Sequence, residues 1–249
     1  MAGQHQQVAE PSTPLHATIT VGTETFVADC SGALWSPTHR MLIAADLHLE
    51  KGSSYARRGA FLPPYDSRQT LRRLKQAILH FDPCTVVLLG DSFHDVGGMA
   101  QIGADERALL AQMQRKREWI WITGNHDPEI AAWLGGDVRE TIALGDVVLR
   151  HDPVVGVGPS RSPDGVGEIA GHLHPVARIV RHGRSLRRRS FVSDGVRLVM
   201  PAFGAYAGGL NVCDDSFAAV FACEQHELWV WMLGEDDVFP IRGRELCGD

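Results

Sequence analysis

Short apolar runs, each ended abruptly by a polar cluster, recur along the first part of this chain. Runs at 41–45, 85–89, 119–123, 147–149 and, more weakly, 166–170 are bounded by Gly, Asp and Asn, the pattern of buried β-strands. Between the first two runs, 65–79 puts Leu71, Leu74, Ala77 and Ile78 on one face and Arg68, Arg72 and Lys75 on the other. That spacing predicts an amphipathic helix. A similar pattern predicts a helix over 104–116, and Pro128 suits the first turn of a third, short one. Ahead of the first run, alternating segments at 18–21 and 25–27 around Gly22 predict an antiparallel hairpin. After residue 174 the texture turns to β, with strands expected at 176–180, 189–192, 197–199, 217–222 and 228–232. Helices early and strands late imply a mixed α/β fold, a four-layer αββα sandwich of two mixed sheets flanked by helices.

The polar clusters that end the runs carry the chemistry. In order they read Asp46-Leu47-His48, Gly90-Asp91-Ser92-Phe93-His94-Asp95, Gly124-Asn125-His126-Asp127, Arg150-His151-Asp152 and Gly171-His172-Leu173-His174. Open α/β sheets place ligand sites at the carboxyl ends of their strands, so these side chains are expected to converge. Asp46, Asp91 and Asn125 with His48, His151, His172 and His174 make a mixed oxygen and nitrogen set without thiolate. Such a set suits Mn²⁺, Fe or Zn²⁺, and is too rich in nitrogen for Ca²⁺ or Mg²⁺. Seven ligands exceed what one ion holds with a position left open. Two divalent ions sharing one carboxylate, about 3.5–4 Å apart, satisfy them. Any one of these histidines alone would more often be a surface or core residue; the ordered set, each member in its strand-to-loop context, makes the metal reading.

Bulk properties narrow the setting. The chain has 249 residues, 44% of them hydrophobic, enough for a substantial core. Residues 1–14, polar and Gln-rich, are expected as a poorly ordered tail before a single domain over 15–249, with 156–167 a mobile surface loop. A net charge of −6 argues against a protein that coats nucleic acid non-specifically, but local charge decides binding of a polyanion. Basic residues gather at Arg57-Arg58, at Arg68, Arg72, Arg73 and Lys75, and at Arg181, Arg184, Arg187, Arg188 and Arg189. Solvated faces and a phosphate-binding footprint are about equally good accounts of them. Cys30, Cys84, Cys213, Cys223 and Cys247 are odd in number and scattered, as free thiols in a reducing compartment are. No apolar run approaches the ~18 residues of a membrane span and no leader pattern opens the chain, which places the protein in the cytoplasm.

The ordered motifs resemble the calcineurin-like metallophosphoesterase superfamily. More narrowly, Asp46-Leu47-His48-Leu49-Glu50-Lys51-Gly52 and Phe203-Gly204-Ala205-Tyr206-Ala207-Gly208-Gly209-Leu210-Asn211 resemble the bacterial PdeM family of ligase-associated DNA-damage-response endonucleases. The resemblance implies the αββα metallophosphoesterase sandwich. It also implies one ion held by Asp46, His48, Asp91 and His174 and a second by Asp91, Asn125, His151 and His172, with Asp91 bridging. Mn²⁺ is then the expected metal, and a water between the ions, ionised near neutral pH, the in-line nucleophile.

Three further residues take catalytic roles in this reading. His126 follows a ligand but points elsewhere, as a general acid for the leaving oxygen or a donor to the phosphoryl group. Asp127 either orients that ring or caps the helix begun at Pro128. Protein phosphatases of the superfamily carry an Asp three residues after the bridging carboxylate, where this chain has His94, followed by Asp95. The Gly-Asp-x-x-His arrangement resembles DNA-repair nucleases of the SbcD type and favours a phosphodiester. Lys51, Tyr55, Arg57 and Arg58, on a loop beside the metals, are expected to stack on bases and pair phosphates.

The expected function is therefore a manganese-dependent DNA endonuclease, with single-stranded DNA as the first substrate to test. The resemblance implies functional association with a DNA ligase and a helicase, and is compatible with a homodimer. The alternatives are a small-molecule phosphodiesterase or phosphatase acting on cyclic nucleotides or nucleotide derivatives, and a non-catalytic subunit of a repair complex. A small-substrate enzyme should carry a capping insertion, and none of length separates the motifs; intact ligands with His126 argue against the non-catalytic role.

Overall fold

The computed structural model describes residues 17–57, 59, 65–155, 167–222 and 225–249. The first sheet is built from β1 (Thr18–Val21), β2 (Glu24–Ala28), β3 (Leu34–Ser36), β4 (Met41–Ala44), β5 (Thr85–Leu89), β6 (Glu118–Ile122) and β7 (Asp137–Arg139), paired in that order. β1 to β4 pair antiparallel and β4 to β7 parallel. The second sheet contains β8 (Thr141–Leu144), β9 (Val147–Arg150), β10 (Gly167–Ala170), β11 (Val176–Arg181), β12 (Arg184–Ser193), β13 (Arg197–Val199), β14 (Trp229–Leu233) and β15 (Val238–Arg242). Its order is β15-β14-β12-β13-β10-β9-β8, with β11 paired to β12.

Both faces of the first sheet are covered, which is why its central strands read as unbroken apolar runs. Along β4, Met41 and Ile43 face the second sheet, and along β5 Val87 and Leu89 do the same. They pack with Leu149, Ile169, Phe191, Leu198 and Met200. The alternate residues Leu42, Ala44, Val86 and Leu88 face outward. They are covered by Leu71, Leu74 and Ile78 of α2 (Asp66–Phe81) and by Leu110 and Met113 of α4 (Ala104–Gln114). α1 (Lys51–Arg57) and α3 (Gly98–Gln101) lie at the strand ends. On the far side, α5 (Asp215–Phe221) sets Phe217, Val220 and Phe221 against Val192, Val199, Val230 and Met232. Helix, sheet, sheet and helix form the four layers expected from the sequence. No helix among the described residues is long and apolar enough to cross a membrane.

Three sequence expectations differ from the fold. Residues 217–222 form most of α5 rather than a strand. Asp214 caps its start by accepting from the Ser216 amide at 2.9 Å, and the i, i+3, i+4 spacing of Phe217, Val220 and Phe221 matches a helix face. No helix starts at Pro128; the only helical turn there is a 3-10 turn at Ala132–Leu134, because Asp127 is turned inward and cannot cap. The segment after the first motif is a helix, α1, rather than a loop; the Asp66 carboxylate accepts from its Gly52 amide at 3.1 Å. The tail at 1–14 and all but the last residue of the loop expected at 156–167 lie outside the described residues.

Phe217 anchors α5 from a fully buried position. Phe217→Ala is expected to cost about 3–5 kcal/mol. Urea unfolding followed by circular dichroism checks it, and a loss under about 1 kcal/mol, as at a surface site, would contradict the packing of α5 on the second sheet.

Candidate metal centre

The parallel pairing of β4 with β5 continues beyond the strands as a set of bonds between their loops. The amides of Asp46, His48 and Leu49 donate to the carbonyls of Gly90, Asp91 and Ser92 at 3.2, 2.9 and 2.9 Å, and the His94 amide returns a bond to Leu49 at 2.9 Å. Asp46, His48 and Glu50 all have positive φ (55°, 44° and 63°), as do Asp91 (46°), His172 (70°) and His174 (48°). Asp46, His48 and Glu50 alternate with Leu47 and Leu49, which are buried in the outer core. Non-glycine residues with positive φ persist only where the surroundings hold them, and they cluster at functional sites.

Two donor groups result. Asp46, His48 and His174 form one, and Asp91, His151 and His172 the other, with the ligand atoms of each group within 4.8 Å of one another. In the first, His174 Nε2 is 3.3 Å from Asp46 Oδ1 and 3.1 Å from His48 Nε2. In the second, His151 Nε2 is 3.4 Å from Asp91 Oδ1, and Asn125 Oδ1 lies 3.0 Å from both His151 Nε2 and His172 Nδ1. Asp91 stands between them: its Oδ2 is 3.9 Å from His48 Nε2 while Oδ1 faces His151. Asp46 is wholly buried and Asp91 is 2% exposed.

The electrostatics fit a bound cation. Burial and the neighbouring His174 hold the His48 imidazole down to about 2, so that it is a neutral lone-pair donor. Burial opposes ionisation of Asp91, yet the His151 hydrogen bond and charge keep its carboxyl low, at about 2. Burial likewise opposes charge on His151, which Asp91 and Asp46 raise to about 9, so a metal ion binding there must displace a proton from this ring. Two buried carboxylates surrounded by imidazole nitrogens and an amide oxygen leave lone pairs converging on small volumes. Metal ions take such a set of deprotonated ligands.

The structure brings the expected ligands together, and it brings His126, His94 and Tyr55 to the same place. The His126 amide donates to Asp91 Oδ1 at 2.9 Å, and its ring Nδ1 lies 2.8 Å from the His94 carbonyl. The His94 and His126 rings stack 5.5 Å apart at 18°, and Tyr55 sits 5.8 Å from His94. Asp127 takes neither role expected of it. One of its oxygens accepts from the Ser92 and Phe93 amides at 2.8 and 3.1 Å, and the other from Gly124 at 3.1 Å. The carboxylate therefore ties the second motif loop to the third. Burial pushes its pKa up to about 7, against the pull of those backbone donors. The carbonyl of His94 orients the His126 ring instead.

Along α1, Lys51 is half-buried with its ammonium 5.9 Å from the Tyr55 ring, and burial lowers its pKa. Arg57 is paired with Asp95, whose carboxyl is held low: burial opposes this, but bonds from Ser54 and Arg57 outweigh it. Arg58 lies outside the described residues. Of the basic clusters, two members turn inward. Arg73 donates to the Phe203 carbonyl at 2.8 Å and Arg189 to that of Ala202 at 2.7 Å.

Sequence reasoning missed the support behind the first motif and a contact made by the fifth. Glu50 accepts from Ser67 Oγ at 2.8 Å and from Ser53, and Ser67 accepts from the Glu50 amide at 2.8 Å, which holds the loop from behind. Asp152 Oδ1 is 3.0 Å from His172 Nδ1. The polar positions 46, 48 and 50 alternating with Leu47 and Leu49 were the available signal for Glu50.

A profile of the calcineurin-like phosphoesterase family matches residues 39–194, which spans both donor groups. The chain belongs to this family. Its members are metal-dependent hydrolases that typically use two divalent ions, in agreement with the paired donor groups. Among solved structures, Pseudomonas putida nuclease MPE shares the fold, with 22% identity and a TM-score of 0.66 over 90% of this chain and 98% of that one. The phosphoesterase Yfce from E. coli matches at 14% identity and a TM-score of 0.39, over 81% and 98% of the two chains. No curated protein matches the chain.

Gly124 sits where the third motif loop packs closely on the second. A Cβ there would lie 2.3 Å from the Asp91 amide nitrogen and from Asp91 Oδ1. Gly124→Ala is therefore expected to displace Asp91 and to lower bound metal to less than half the wild-type content, measured by elemental analysis after Mn²⁺ loading. Unchanged metal content would show that Asp91 does not depend on this close approach.

Proposed function

We propose that the protein is a manganese-dependent phosphodiesterase whose substrate is DNA, an endonuclease of nucleic-acid repair. The observation that carries the reading is the stacked pair of His94 and His126 beside both donor groups, 5.5 Å apart with Tyr55 next to it. A small phosphomonoester occupies one imidazole and the ligand set; a second imidazole backed by an aromatic ring suits a phosphate with substituents on both sides. The likeness to nuclease MPE, at 22% identity, is one of fold, and the substrate reading rests on this chain's own residues.

In this reading Asp46, His48, His174 and Asp91 would hold one divalent ion and Asp91, Asn125, His151 and His172 the other. Mn²⁺ suits this mixture of oxygen and nitrogen donors, with Fe and Zn²⁺ the nearest substitutes. Bound there, two such ions supply an activated water and neutralise charge growing on the phosphoryl oxygens. The chain's own contribution is proton traffic and position. His126 Nδ1–H donates to the His94 carbonyl, so Nε2, 3.9 Å from Asp91 Oδ2, is the atom that protonates the leaving oxygen. His94 and Tyr55 contact the part of the substrate that is not transferred, and Lys51 lends positive charge to that wall. We place the work of this one-domain enzyme in the cytoplasm, on single-stranded DNA, alongside a DNA ligase and a helicase, with a homodimer compatible with the reading.

Circular single-stranded and duplex DNA incubated with Mn²⁺, Mg²⁺, Zn²⁺ or no metal and run on a gel test the proposal. Cleavage of the single-stranded circle, strongest with Mn²⁺, is expected. Intact DNA under conditions where a small diester is hydrolysed would move the substrate to small molecules.

His126→Ala is expected to keep bound metal and slow turnover roughly 100- to 10,000-fold, the range of a positioned acid or base. The loss should shrink on nitrophenyl esters, which need little protonation to leave. An equal loss on good and poor leaving groups would assign His126 to charge stabilisation instead.

His94→Ala is expected to depress DNA cleavage far more than hydrolysis of a small diester, with metal content unchanged. Binding energy from remote substrate groups positions the reacting bond, and only the strand presents them here. If both rates fall together, His94 serves the chemistry, and the preference for DNA loses its main support.

A further inference from the structure

The outer face of α2 carries a groove of about 640 Å³ lined by Tyr65, Arg68, Gln69, Arg72, Arg73 and Gln76. Three arginines and two amides line it without a carboxylate, on a chain whose net charge is −6. Arg68 and Arg72 are exposed, and neither has an ion-pair partner among the described residues. Arg68 and Arg72 also line a second hollow together with Asp105 and Glu106 of α4, yet no ion pair among the described residues joins these carboxylates to the two arginines. Tyr65, at the groove's end, is 64% exposed, so its ring is open to stacking.

Hydrogen bonds tie the helix that carries the groove to the first motif. Arg73 donates to the Phe203 carbonyl, and Thr70 Oγ1, one turn earlier, accepts from the Ala205 amide at 3.0 Å. The Phe203 and Gly204 amides in turn donate to the carbonyls of Ala45 and Asp46 at 2.8 and 3.1 Å. At the other end of the helix start, Asp66 caps α1, which carries Lys51 and Tyr55. The helix that carries the groove is thus hydrogen-bonded both to the segment behind the first motif and to α1.

We propose that this groove binds the single-stranded DNA that flanks the scissile phosphodiester, with backbone phosphates on Arg68 and Arg72 and a base stacked on Tyr65. The proposal rests on the nuclease reading of the centre and extends it to a second, non-reacting site. A single strand is bound by this combination, a cationic track with an aromatic platform, because every base has a stacking face and every phosphate a charge.

The test uses the full-length protein in chelator, so that nothing is cut, and a fluorescein-labelled oligothymidylate of about 16 nucleotides read by fluorescence anisotropy across a salt series. Arg68→Gln with Arg72→Gln should weaken binding and make the slope of log affinity against log salt shallower by about 1.4, about 0.7 for each phosphate no longer neutralised. Tyr65→Ala should weaken binding roughly tenfold with the slope unchanged, as removal of a stacking platform would. Hydrolysis of bis(4-nitrophenyl) phosphate by the Mn²⁺-loaded variants should equal wild type, which also reports that they fold. Arg184→Gln, an exposed arginine on the β11–β12 hairpin, is the control for net charge.

If the groove variants bind the oligonucleotide as wild type does while wild type cleaves DNA, the groove is overturned and the nuclease reading stands. If Arg184→Gln weakens binding as much, the effect is one of net charge and the groove is again overturned. Competition by polyglutamate at equal charge, with Tyr65→Ala indifferent, would assign the groove to acidic peptides and overturn the proposal. Failure of wild type to bind or cut any oligonucleotide while hydrolysing the small diester would overturn the nuclease reading together with the groove.

Discussion

The centre depends on holding six non-glycine residues in left-handed backbone at adjoining strand ends. At about 1–3 kcal/mol for each such residue, the cost approaches the whole folding stability of an ordinary domain. Asp and His tolerate this region better than most residues, which keeps the sum toward its lower end. What offsets it is the ladder of β4 and β5 running on into their loops, with bonds from 46, 48 and 49 to 90, 91 and 92. Those loops in turn sit on the most fully buried strands of the molecule, where Leu42, Ile43, Val87 and Leu88 are wholly covered. The core thus supports the site directly: without a rigid parallel pair, nothing would hold Asp46 and Asp91 facing inward.

The buried charge follows from that geometry. Asp46 and Asp91 are out of water, and isolated carboxylates in such surroundings would be strongly unfavourable. Asp91 is kept ionised by His151 and by the His126 amide, and Asp46 accepts twice from the His172 amide, at 3.2 and 3.0 Å. Asp127 does for the loops what Asp91 does for the ligands. Three backbone donors converge on it and leave those buried amides satisfied, which fixes where Asn125 and His126 can point. The residue whose sequence position suggested a hold on the His126 ring is thus spent on backbone, and the orienting of His126 passes to a carbonyl.

Most of the candidate ligand set was legible because metal chemistry is demanding about residue type and because each of these residues follows a strand that advertises itself by being apolar on both faces. The five motif strands, both long helices and the four layers follow from the same signal. What escaped lay where two signals compete. Residues 217–222 are apolar enough for a strand, and only the Asp214 cap and the 3.6 spacing of Phe217, Val220 and Phe221 mark a helix. Pro128 invites a helix that the burial of Asp127 denies. α1 is short, and the carboxylate that caps it comes from Asp66, fourteen residues beyond Gly52, where no local pattern shows it.

Charge patterning was the least legible property, for a physical reason. Arginines at 68, 72 and 73 look alike in sequence, yet one helical step separates two fates. Arg73 turns under, over the Phe203 ring and onto its carbonyl, and with Arg189 it holds the segment 202–205 against the metal loops. Burial and the charge of Arg73 depress the Arg189 guanidinium to about 10, the mark of a cation committed to structure. Arg68 and Arg72 stay in water on the same helix, one turn apart, where a guanidinium is open to an external phosphate. A single helix thus carries the apolar stripe that covers the first sheet, the cation that braces the centre, and the exposed pair that faces outward; which arginine does which is set by its angle around the helix, a property that a run of charges conceals.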